Sequence, residues 1–82
     1  MDGTVILCNN SIQRFAVRTA DGITVFDLQS GELAMHHVVS GNLDDHGDQQ
    51  LLNLTTAAPL SVYIEAIHAD RATAIHLLSQ RH

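Results

Sequence analysis

The stretch Gln13 to Thr19, QRFAVRT, puts Phe15 and Val17 on one side and Arg14, Ala16 and Arg18 on the other. Such alternation has the two-residue period of a β-strand and not the period of a helix. Asp21-Gly22 follows, a pair that favours the tight turn of an antiparallel hairpin, and Ile23 to Leu28 (ITVFDL) supplies the returning strand. A hairpin marked this well commits the first part of the chain to antiparallel β-structure.

The remaining segments extend that commitment. Thr4 to Cys8 (TVILC) is a β-branched run ahead of the hairpin, and Asn9-Asn10-Ser11 is a turn cluster. Ala34 to Leu43 is predicted as a fourth strand, with Gly41 marking a bulge or bend, and Gln50 to Thr55 as a fifth. Leu60 to Ile67 (LSVYIEAI) is the clearest strand, and its alternation places Leu60, Val62, Ile64 and Ala66 on one face. The period then changes. Asp70 is positioned to cap a helix from Arg71 to Ser79, with Ala74, Ile75 and Leu78 on its inner side.

Eighty-two residues, 45% of them hydrophobic, allow one domain with one core, spanning 1–82. The fold class is mostly β: a small antiparallel barrel of five to six strands over 1–68, with one C-terminal α-helix over 69–80. A helix of ~10 residues is marginal alone, so it must dock on the barrel.

The 4 cations, all arginine, stand against 9 acidic residues, for a net charge of −5. Nucleic-acid binders draw much of their affinity from cations that neutralise phosphates, so this balance disfavours a polyanionic partner. The opening residues carry no basic leader, and no stretch approaches the ~20 apolar residues of a membrane span. A soluble cytoplasmic protein with no membrane partner is expected. The single cysteine, Cys8, is expected as a buried thiol in an apolar run.

Residues 3 to 28 resemble the first half of a cold-shock domain, an OB-fold barrel of five strands that binds single-stranded nucleic acid. Gly3-Thr4-Val5 is similar to that family's opening strand and Asn9 falls near its Asn. Gln13-Arg14-Phe15-Ala16-Val17-Arg18 falls on its first RNA-binding motif, Asp21-Gly22 on its turn, and Val25-Phe26-Asp27-Leu28-Gln29 on its second motif. The resemblance implies an OB-like barrel. It also implies bases stacked on Phe15 and Phe26, with Arg14 and Arg18 holding phosphates. Several motif positions depart from the family. Gln13 replaces a lysine, Arg14 and Ala16 replace glycines, and Val17, Leu28 and Gln29 cannot stack a base. Alternation instead predicts Phe15 and Val17 buried, with Arg14 and Arg18 in solvent.

Other chemistry is sparse. His36, His37, His46, His68, His76 and the Asp44–Asp48 loop are of metal-ligating type, but their spacing matches no compact motif. Asn42 to Asn53 lacks the bidentate acid of a calcium loop. Nucleophile elbow, phosphate loop and zincin motifs are missing, and Asp27 is read as a marker of a solvent-facing strand side. No catalytic residue, metal or cofactor is expected.

The leading expectation is a non-catalytic binding or adaptor module that self-associates, as a homodimer, through an apolar face. Phe15, Val17, Phe26 and Leu28 would form that buried or contact face, with Ile75 and Leu78 from the helix. Weak single-stranded RNA or DNA binding through Arg14, Phe15, Arg18 and Phe26 is the alternative. A histidine-dependent metal or pH-responsive protein is the third.

Overall fold

The computed structural model describes residues 1–79. Six strands, β1 (Asp2–Asn9), β2 (Arg14–Thr19), β3 (Gly22–Ser30), β4 (Val38–Gly41), β5 (Gly47–Asn53) and β6 (Ala58–Ala69), precede one helix, α1 (Arg71–Ser79). The strands close into a barrel in the order β1-β2-β3-β6-β5-β4. Two three-stranded meanders, β1-β2-β3 and β4-β5-β6, are thus joined along two antiparallel seams, β3 with β6 and β1 with β4. Closure leaves no sheet edge to recruit another strand. The mostly-β antiparallel barrel with a C-terminal helix is therefore observed. Residue 80, the expected end of that helix, lies outside the described residues.

Two cores hold the fold. The barrel interior contains Val5, Phe15, Val17, Phe26, Val39, Leu43, Leu51, Leu60, Val62 and Ile64. Phe15 and Phe26 are cross-strand partners whose ring centroids stand 6.2 Å apart at a 32° tilt. The second core lies outside the barrel wall. There Ala16, Ile23 and Val25, on the outer face of the first meander, meet Ala74 and Leu78 of α1. Alanine on both sides, at Ala16 and Ala74, lets the helix approach the sheet closely.

Two bulges decide which apolar residues serve which core. In β1 the register shifts at Ile6, between Val5↔Val17 and Leu7↔Ala16. Val5 and Cys8 therefore face the interior, while Ile6 and Leu7 turn outward against the second core. An unbroken apolar run is what a strand with a bulge and two buried faces requires. In β6 the shift falls at Glu65, between Val25↔Ala66 and Phe26↔Ile64. Leu60, Val62 and Ile64 share one face as expected, and it is the inner one, but Ala66 does not lie on it. It packs under the helix.

The fourth strand is shorter than expected. Residues 34–37 form a turn closed by His37 N–H to Ala34 C=O at 3.2 Å, in which His36 adopts φ 70°. Pairing ends at Gly41, whose φ of 148° makes the bend and whose Cβ, if present, would lie 2.6 Å from Leu51 Cδ2. Leu43 then folds back to plug the barrel end.

Candidate interaction face and side-chain clusters

The parity of β2 is the one the sequence predicts, yet the solvent expected on its outer side is largely absent. Phe15 and Val17 point inward and are buried, and Arg18 is exposed. Arg14 also points outward, but it is only 4% exposed because the C-terminal turn of α1 lies over it. The expectation of a solvated Arg14 is corrected, and so is that of a solvent-facing Asp27. Asp27 stands opposite Arg14 in β3 and accepts from it at two points, Nε to Oδ1 at 2.6 Å and Nη2 to Oδ2 at 3.2 Å. Arg14 Nη1 donates to the Leu77 carbonyl at 2.9 Å, and Asn9 Nδ2 donates to the Leu78 carbonyl at 2.7 Å. A cation at the carbonyl end of a helix also meets the negative pole of its dipole. The Asp27 hydrogen bond raises the Arg14 pKa, against the lowering effect of burial, and the charges of Asp27 and Glu65 add to the rise. This arginine is a clasp between barrel and helix.

The six residues assigned to one buried or contact face divide three ways. Phe15, Val17 and Phe26 lie inside the barrel, with Leu28 half-buried against them. Leu78 is buried in the second core. Ile75 is 48% exposed, so the expected inner stripe of Ala74, Ile75 and Leu78 is corrected to Ala74, Leu77 and Leu78. The clasp explains this roll of the helix: drawing the Leu77 and Leu78 carbonyls down to Arg14 and Asn9 turns Ile75 away from the wall. Phe15 and Phe26 present no ring face to a base. Of the four residues in the nucleic-acid set, only Arg18 is on the surface.

Ile75 does not stand alone. With Leu7, Cys8, Asn9, Asn10, Leu78 and Ser79 it borders a shallow depression of about 420 Å³ between α1 and β1. Cys8, expected to be buried, is half-buried at its floor. A second depression, about 330 Å³, opens at the barrel end beside Leu28, Leu33 and His37. Its wall is held by Asn53, a fully buried residue that stands out in the sequence only as the last position of the failed calcium loop. Asn53 Oδ1 accepts from the Thr55 and Thr56 amides at 2.9 and 3.3 Å, and its Nδ2 donates to the Glu32 carbonyl at 3.2 Å. With Nδ2 so oriented, its 3.0 Å contact to His37 Nδ1 makes that ring nitrogen an acceptor. His37 is a structural histidine.

Among the described residues, the remaining histidines are dispersed, with one exception. His68 Nε2 contacts Asp44 Oδ1, and the Asp21 carboxylate joins them, so that one ligand atom from each lies within 4.8 Å of the others. Sequence spacing did not show this grouping, and Asp21 reads there as a turn residue only. Among the described residues, no helix is long and apolar enough to cross a membrane.

Comparison with protein-family models, curated proteins and solved structures finds no match. The functional reading therefore rests on this chain's own geometry.

Proposed function

We propose that this protein is a non-catalytic binding module that pairs with a second copy of itself through the groove between α1 and β1. The exposure of Ile75 beside Leu7 and Leu78 is the observation that carries this reading. The patch offers both a ridge, Ile75, and a hollow next to it. A two-fold axis through such a patch lets each copy's ridge enter the other's hollow, which is the isologous geometry of most homodimers. Barrel closure rules out pairing by strand addition, so side chains must make the contact. Each copy carries −5, so the copies repel, and added salt should tighten the pair.

Burial of both phenylalanines favours this reading over base stacking, which needs exposed ring faces. The deciding experiment is sedimentation equilibrium at low and moderate salt, on the parent chain and on Ile75→Glu. The expected result is a dimer strengthened by salt and a monomeric variant that keeps the parent's circular dichroism, with a melting temperature lower only by what association adds. A parent chain that sediments as a monomer throughout, or a variant that keeps the dimer mass, would refute the reading.

A further inference from the structure

Asp21, Asp44 and His68 come from three separate places: the β2–β3 turn, the β4–β5 loop and the end of β6. One carboxylate oxygen from each aspartate and one imidazole nitrogen lie within 4.8 Å of one another. We propose that these three side chains form a binding site for a divalent transition-metal ion of the zinc class.

The donor set indicates that class. Calcium and magnesium take oxygen ligands, whereas imidazole nitrogen combined with carboxylate oxygen suits zinc and its neighbours. His68 Nε2 is already directed at Asp44. The Asp21 carboxylate has no ion-pair partner among the described residues. A dication between the three groups would replace the repulsion of two adjacent carboxylates by attraction.

The fold places the three segments together through contacts that owe nothing to the acids themselves. Thr24 Oγ1, inside the barrel, donates to the Leu43 carbonyl at 2.8 Å and so fixes the backbone just before Asp44. Gly22 follows Asp21 with φ +130°, and a Cβ there would lie 3.2 Å from His68 Cα. That close approach seats the Asp21 turn directly against His68. Zinc takes nitrogen and oxygen ligands at ~2.0–2.2 Å, so atoms sharing one coordination sphere stand about 3 Å apart. All three side chains are exposed, and rotation about their own bonds closes the remaining distance. Water would fill the coordination positions left open.

The test is calorimetric titration of Zn2+ into the full chain, with Ca2+ and Mg2+ run in parallel. It is followed by long-range 1H–15N spectra of the histidine rings. The expected outcome is saturable binding of one equivalent of Zn2+, a raised melting temperature and a shift of the His68 ring nitrogens. Asp21→Asn, Asp44→Asn and His68→Asn should each weaken binding by more than about tenfold, because losing a ligand costs at least what losing an outer-shell partner does. Asparagine is chosen at His68 because it tolerates the φ of 51° found there, so the variant keeps its fold. Circular dichroism of each variant checks that. No saturable binding, binding that survives all three substitutions, or a shift at His36, His37 or His76 in place of His68 would overturn the site. Equal, His68-independent affinity for Ca2+ would overturn it as well.

Discussion

Arg14 and Asp27 face each other across β2 and β3, and one guanidinium joins both strands to the end of α1. Its Nε and Nη2 hold the Asp27 carboxylate, and its Nη1 holds the Leu77 carbonyl. The Asp27 side chain keeps 29% of its exposure, so its desolvation cost is partial while the hydrogen-bond geometry is good. That combination ties both strands to the helix at only part of the desolvation cost of a fully buried pair.

Removing one partner should therefore cost more than removing both. Arg14→Ala leaves Asp27 and the Leu77 carbonyl unpaired and should lower stability by about 2–4 kcal/mol, at or below the range for a fully buried pair. The double variant Arg14→Met, Asp27→Leu should recover most of that loss, since it leaves no half-buried charge. Urea denaturation of the single and double variants measures the difference.

Phe26→Ala empties the centre of the barrel and should cost about 3–5 kcal/mol. Against a total of roughly 4–12 kcal/mol for a domain of this length, that is a large share of the stability, and the variant should melt well below the parent chain. Phe15→Leu keeps most of the volume and should cost about 1–2 kcal/mol. It therefore serves as the folded test of base stacking. Anisotropy of labelled single-stranded RNA should be the same for Phe15→Leu and for the parent chain.

Gly31 and Gly47 separate steric crowding from backbone strain. Both have positive φ, 99° and 92°, but a Cβ at Gly31 would lie 2.7 Å from Leu60 Cδ2 and 2.8 Å from the Pro59 carbonyl oxygen, while at Gly47 it meets nothing within 4 Å. Gly47→Ala should cost about 1 kcal/mol from strain alone. Gly31→Ala should cost clearly more, and thermal melts of the two variants rank them.

Asp70 caps α1, accepting from the Thr73 amide at 2.8 Å. That backbone hydrogen bond, and then one from the Thr73 side chain, hold its carboxyl below the usual value of 3.8. On acidification the unfolded chain takes up its proton before the folded chain does. The stabilisation is thus complete above the unfolded value and disappears as pH falls through the lower folded one. Stability should decline below about pH 4, and Asp70→Ala should flatten that part of the curve. Melting temperatures measured across this range check it.

Sequence-level features that proved legible are those written in local periodicity. The QRFAVRT alternation placed Phe15 and Val17 inward, Asp21-Gly22 placed the hairpin turn, and Asp70 placed the helix start at Arg71. Each depends on neighbours within a few positions, where backbone geometry alone fixes the direction of a side chain. The features that misled are those where the outer face of a strand is not the outside of the protein. Arg14 read as solvated because nothing local shows that residues 77 and 78 return to cover it. Ala66 read as sharing a face with Leu60, Val62 and Ile64 because a bulge at Glu65 leaves no mark in a pattern of alternating apolar residues.

By itself, then, the sequence determined an antiparallel β-chain ending in a capped helix, and which strand face holds the large apolar side chains. Barrel closure in the order β1-β2-β3-β6-β5-β4, the second core beneath α1, the Arg14 clasp and the meeting of Asp21, Asp44 and His68 were decided only in the tertiary structure. The reason is physical. Asp44 and His68 are 24 residues apart, and their contact exists only because strand register brings the β4–β5 loop and the end of β6 to one rim of the barrel. No periodicity within either segment encodes that distance.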